Sequence, residues 1–183
     1  MRGAEGVWVV AVLALAGVAT GGLVGLALGA AWAGAGGEPL PPAGAAAAAG
    51  VAVVADLAHR TTGRLRPLAV GRQVPQAWGR LFGPGTAALL YGARLGVGPL
   101  TILTSWTWWA MLLVAASLGP WASAATGAAF AVARVTTMVV VVAGARSGPA
   151  MGRRMAALRH REPVVAWATM GVVGMVGIGA LAW

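Results

Sequence analysis

The sequence contains no cysteine, and this absence excludes disulfides, thiol redox relays and thiolate metal sites. Carboxylates are also scarce, with four acidic residues against thirteen basic ones. The two histidines, His59 and His160, each lie beside an arginine, and neither has a second ligand at a spacing that would share a metal ion. The sequence therefore predicts neither a metal site nor a cofactor.

Catalytic patterns are missing as well. The chain has no Ser/His/Asp set, no pair of carboxylates in its apolar runs and no glycine-rich phosphate loop. We therefore expect that the protein is not an enzyme.

Charge of either sign is rare, at 9% of the residues, whereas soluble domains average about 25%. The chain is 59% hydrophobic with a mean hydropathy of +0.81, which predicts a single all-α domain (residues 1–183) whose partner is the lipid bilayer. Its basic residues are all arginine, and most lie in two short loops, so the net charge of +9 indicates membrane orientation and not nucleic-acid binding. Arginine without lysine, with abundant alanine and glycine, indicates a GC-rich bacterial genome.

Five apolar runs predict five transmembrane helices. The first run is too long for the apolar core of a signal peptide, which has about 7–15 residues. Because Ala31-Trp32-Ala33 resembles a cleavage site, a removed signal peptide is the alternative for this run. The predicted spans are residues 7–33, 43–58, 84–118, 121–145 and 164–183.

The two arginine-rich loops, residues 59–83 and 146–162, should both be cytoplasmic. The N-terminus is then inside and the C-terminus outside a bacterial cytoplasmic membrane, and two crossings must separate the loops. Residues 84–118 are therefore expected to form one long crossing, broken at Gly96–Pro99, because glycine and proline weaken a helix.

The first span carries a glycine at every fourth position. This spacing places the four on one face of a helix and lets another helix approach closely. The sequence leaves open whether that helix is in the same chain or in a second copy, so a homo-oligomer and a partner in a membrane complex are both expectations. The stripe comprises Gly17, Gly21, Gly25 and Gly29.

Arg94 and Arg134 lie deep within apolar runs, where a charge is costly unless it is paired or hydrated. Asp56 is the only acid within such a run. It is either a residue at the headgroup boundary or the counter-ion of one of the two arginines. A half-helix beginning near Leu100 would add free N–H groups. The candidate solute or ion site comprises Arg94, Arg134, Asp56, Gly98, Pro99 and Thr101, with arginines that serve only packing as the alternative.

Residues Leu95-Gly96-Val97-Gly98-Pro99-Leu100 resemble the L-G-x-x-P-C element of the cytochrome c biogenesis transmembrane family (CcdA and the membrane core of DsbD), within the LysE-like transporter superfamily. The resemblance implies a scaffold with a broken helix. It also places Leu100 where that family has its redox cysteine, so thiol chemistry does not carry over. We therefore expect transport or export of a small solute, preferentially an anion. The alternative is a non-catalytic assembly or scaffold subunit, for example in cytochrome c biogenesis.

Overall fold

Every regular element in the part of the chain that the structure describes is an α-helix. The computed structural model describes residues 4–67, 78–97 and 105–143, together with residues 153, 156 and 157. The all-helical prediction is confirmed for these residues. The helices are α1 (Ala4–Gly34), α2 (Pro42–Thr62), α3 (Trp78–Leu81), α4 (Pro84–Gly96), α5 (Thr107–Ser117) and α6 (Pro120–Ala143).

Three of these helices are long and apolar enough to cross a membrane, judged by length and composition. They correspond to the first, second and fourth predicted spans. The third predicted span contains two shorter helices, α4 and α5, and α4 ends at Gly96, where the predicted break begins. The predicted last span, residues 164–183, lies outside the described residues. The three long stretches are Gly6–Gly34, Pro42–Thr62 and Pro120–Val140.

The ends of α2 follow from its sequence. Pro42 occupies the first helical position, where its missing N–H is not needed, and Gly63 ends the helix with φ 68°. The Gly63 N–H bonds the His59 carbonyl oxygen at 3.0 Å. The prediction of a loop from residue 59 is therefore corrected, because His59 and Arg60 belong to the last turn of α2, where basic side chains complement the helix dipole.

Contacts along the chain divide it into two compact units, each made of separated stretches. Unit 1 contains α1, α3, α4 and most of α6, and unit 2 contains α2 and most of α5. Unit 1 is drawn from Met1–Glu38, Leu68–Leu103 and Ala115–Thr136, and unit 2 from Pro39–Pro67, Thr104–Val114 and Thr137–Trp183.

In unit 1 the glycine stripe of α1 packs on α6. All four glycines of the stripe are buried. A methyl group added to Gly21 would lie 2.5 Å from the carbonyl oxygen of Gly127, and one added to Gly29 would lie 2.6 Å from Cα of Pro120. The contacts on α6 move toward its N-terminus as those on α1 move toward its C-terminus, so these helices are antiparallel.

The helix α1 also packs closely against α4. A methyl group on Gly92 would overlap the carbonyl oxygen of Leu13, and one on Gly96 would overlap that of Gly17. The Thr20 hydroxyl, which also bonds Ala16 within α1, reaches the carbonyl oxygen of Ala93 at 2.9 Å. Residue numbers increase in the same direction along both helices, since Leu13 meets Gly92 and Gly17 meets Gly96. The helices α1 and α4 are therefore parallel.

The predicted topology also has α1 and α4 running in one direction and α6 in the other, and the membrane orientation itself stays a prediction. The helices that meet the glycine stripe belong to the same chain. A homo-oligomer, which stays a prediction, would therefore have to use surfaces other than this buried stripe.

Candidate functional site

Arg94 lies in the last turn of α4. Its guanidinium carbon is 6.0 Å from the centroid of the Trp78 ring, which itself packs against Tyr91 with 5.7 Å between ring centroids. A cation at this distance from an indole is attracted by the negative face of the ring. A cation near a helix C-terminus is also stabilised by the carbonyl groups that end there. Arg94 therefore has two local sources of stabilisation.

Arg134 lies near the middle of α6, one turn after Phe130. Its guanidinium carbon is 5.3 Å from the centroid of the Phe130 ring. The side chain is half-buried. Unlike Arg94, it is far from either end of its helix, so the helix dipole does not explain its position.

The structure brings the backbones of the two arginines to one level of α1. A methyl group on Gly17 would lie 3.3 Å from the carbonyl oxygen of Gly92 on α4 and 3.5 Å from Cγ2 of Val135 on α6. Arg94 is two residues from Gly92, and Arg134 immediately precedes Val135. Both arginines therefore lie close to the level of Gly17.

Their side chains leave their helices in different directions relative to α1. Arg94 is two residues from both Gly92 and Gly96, so it lies about 160–200° round α4 from the face that contacts α1. Arg134 is about 100° from Val135, on the flank of the face of α6 that contacts α1. The arginines thus share a level but lie on different sides of the helices that meet α1.

Asp56 belongs to unit 2 and is 1% exposed. Its carboxylate lies at the N-terminus of α5, where it accepts bonds from two backbone amides and two hydroxyls. The donors are Ser105 Oγ at 2.6 Å and Thr107 Oγ1 at 2.8 Å from Oδ2, the Thr107 amide at 3.2 Å from Oδ2, and the Trp106 amide at 2.5 Å from Oδ1.

Asp56 is thus an N-cap supplied from another helix. A capping carboxylate satisfies amides that have no partner within the helix and favours the positive end of its dipole. Neither of the roles expected for Asp56 includes this one. The local signal was Ser105 and Thr107 immediately before an apolar run, which is typical of a helix start.

A second bond reinforces the same end of α5. The indole N–H of Trp106 donates to the carbonyl oxygen of Leu65 at 2.7 Å. Leu65 has φ 52°, a left-handed conformation that is unfavourable for a leucine. Among the described residues it is the only non-glycine residue with positive φ, so the segment that follows α2 is held in an unusual conformation beside the α5 cap.

Leu100 lies outside the described residues, so the expectation of a half-helix with open N–H groups beginning there stays a prediction. The helix α5 begins at Thr107, and its first amides are bonded to Asp56. Gly98, Pro99 and Thr101 lie outside the described residues, so their part in a solute site stays a prediction.

No family model matches the chain, and neither a curated protein nor a solved structure matches it. The resemblance of residues 95–100 to the CcdA family therefore stays a prediction.

Proposed function

We propose that this chain is a multi-pass protein of a bacterial cytoplasmic membrane that moves a small solute, preferentially an anion, without thiol redox chemistry. Its scaffold would be a degenerate CcdA/LysE-like fold. The observation that carries the proposal is the common level of Arg94 and Arg134 in unit 1. They are the charged residues of α4 and α6.

Tryptophans near the two ends of unit 1 support the membrane part of the proposal. Trp8 is 61% exposed and Trp121 is 81% exposed. Trp121 follows Pro120, which contacts Gly29, so along α1 the two indoles are separated by the rise from residue 8 to residue 29, about 32 Å. The hydrocarbon core of a bilayer is about 30 Å thick, and exposed tryptophans concentrate at its two boundaries.

The helical rise along α1, counted from Trp8, also gives the expected depth of the arginines. Gly17 lies nine residues beyond Trp8, or about 14 Å along α1. Arg94 and Arg134, at the level of Gly17, are then close to the middle of the apolar layer. A cation there attracts an anion more strongly than one at the surface, because water screens it less.

The transport proposal is tested with purified protein in liposomes. The wild-type chain should take up labelled phosphate, sulfate or acetate faster than rubidium, and Arg134→Gln should lower anion uptake by at least about tenfold, since one positive charge within the apolar layer is removed. Arg80→Gln is the matched control because Arg80 is exposed. An Arg134→Gln protein that folds and transports like the wild type would refute the site.

The orientation is tested separately by reporter fusions at the two termini. The proposal requires the N-terminus in the cytoplasm and the C-terminus outside. An external N-terminus would reject the five-crossing topology even if transport were observed.

A non-catalytic assembly or scaffold subunit is the second candidate. It is favoured by the local role of each predicted site charge: Asp56 caps α5, and each arginine lies against an aromatic ring. Such contacts are what packing elements make. A stoichiometric membrane partner that co-purifies with the chain, together with liposomes that show no anion uptake, would decide for this function.

A further inference from the structure

The hydrogen-bond donors around Asp56 form an environment that favours a negatively charged group. All four bonds at the carboxylate are donated to it, two by amides of residues 106 and 107 and two by the hydroxyls of Ser105 and Thr107. An ionised carboxylate accepts hydrogen bonds through both oxygens and donates none. The amides also mark the positive end of α5, which favours a negative group. A group that accepts through two oxygens, as the Asp56 side chain does, therefore matches this environment.

An amide of the same size does not match it. Asparagine offers one acceptor oxygen, and its NH₂ group would face donors instead of acceptors. Alanine would leave the hydroxyls and amides around an empty space of about the size of a carboxylate. The arrangement thus depends on charge and on acceptor geometry as well as on volume.

We infer that Asp56 is a latch, a positioning residue of α2 that fixes Thr107 as the first residue of α5. The bonds join positions 49 to 51 residues apart in the sequence. While the latch is closed, the C-terminal part of α2 and the first turn of α5 move as one body. The inference goes beyond solute transport, and it holds whether the protein is a transporter or an assembly subunit.

The absence of cysteine makes the latch directly measurable, because one introduced thiol is unique in this chain. Ala110 lies in the first turn of α5 and is half-buried, so Ala110→Cys reports on that turn. In detergent, Asp56→Ala should raise the rate of modification by N-ethylmaleimide at least about tenfold, because charged hydrogen bonds that hold the turn are lost. Glu38→Ala, which removes an exposed carboxylate, should leave the rate unchanged.

Added formate shows whether a raised modification rate in Asp56→Ala comes from loss of the carboxylate or from a general loosening of the fold. In Asp56→Ala, formate can occupy the space that the side-chain carboxylate leaves and accept the same bonds, so it should restore the slow rate. Chloride at equal ionic strength should not. An unchanged rate in Asp56→Ala would overturn the inference, as would a raised rate that formate fails to lower.

If Asp56→Ala does not fold, the double variant Ser105→Ala/Thr107→Val decides the question. It keeps the carboxylate and both amide donors but removes both hydroxyls. The modification rate at position 110 should then rise by about threefold or more, since two bonds to a charged group are lost. A rate equal to that of the parent would overturn the latch.

Discussion

Gly21→Ala is the sharpest test of the packing in unit 1. The added methyl group would lie 2.5 Å from the carbonyl oxygen of Gly127, whereas ordinary van der Waals contact begins at 3.4 Å. The helices must therefore separate by about 0.9 Å at this point. Because the obstructing atom belongs to the backbone of α6, no change of rotamer can relieve the overlap.

Two opposing terms set the size of the effect on the free energy of unfolding. Overpacking a close contact costs about 1–3 kcal/mol. Alanine gains about 1 kcal/mol over glycine in a helix interior through its intrinsic helix propensity. Gly50→Ala isolates the second term, because nothing lies within 4 Å of a methyl group at Gly50. Gly21→Ala should therefore be less stable than Gly50→Ala by the packing term alone, about 1–3 kcal/mol.

The assay is reversible unfolding in mixed micelles, in which a denaturing detergent is titrated against a mild one. Helical circular dichroism and tryptophan fluorescence follow the transition, and the nine tryptophans give a strong signal. Gly50→Ala should be at least as stable as the wild type. If Gly21→Ala has the same stability as Gly50→Ala, then α1 and α6 do not meet at this glycine and the antiparallel packing is refuted.

The remaining predictions use the same titration. Thr20→Val removes the hydroxyl that bonds α4 and should cost about 1 kcal/mol more than Thr126→Val, whose hydroxyl bonds only its own helix. Equal losses would contradict a bond between helices. Trp106→Phe removes the indole donor to Leu65 and should cost about 1 kcal/mol, whereas Trp121→Phe, at an exposed indole, should cost less than about 0.5 kcal/mol. If Trp106→Phe leaves the free energy of unfolding unchanged, this bond does not stabilise the chain.

The glycine stripe shows how far the sequence alone can predict packing. Four glycines at a spacing of four predict a helix face without side chains, and that face is buried in the structure. The helix that meets it was not predictable. The facing residues Ser123, Gly127 and Ala131 also recur every four positions, but they are surrounded by other small residues in α6. Such a ridge becomes recognisable only once the two helices are known to be neighbours.

The role of Asp56 was missed for a different reason. Local sequence predicts where a helix begins, because capping side chains usually precede its first turn. Ser105 and Thr107 supply that signal for α5, yet here their hydroxyls donate to a carboxylate on α2. One sequence contains no pattern that links two positions about fifty residues apart. Local sequence rules therefore could not predict the hydrogen bonds between Asp56 and the start of α5.

Arg94 and Arg134 differ in their distance from a helix end, and we expect them to differ in their effect on stability. The helix α4 ends at Gly96 with Arg94 in its last turn, and α5 begins at Thr107 with Asp56 at its first amides. Each end has the ion that its dipole favours, and unsatisfied helix ends in an apolar setting are costly. Arg94→Gln should therefore lower stability as well as anion uptake. Arg134 lies far from a helix end, so Arg134→Gln should lower uptake with less loss of stability. If both variants lose stability equally and neither changes uptake, the arginines serve packing and the assembly function is the better account.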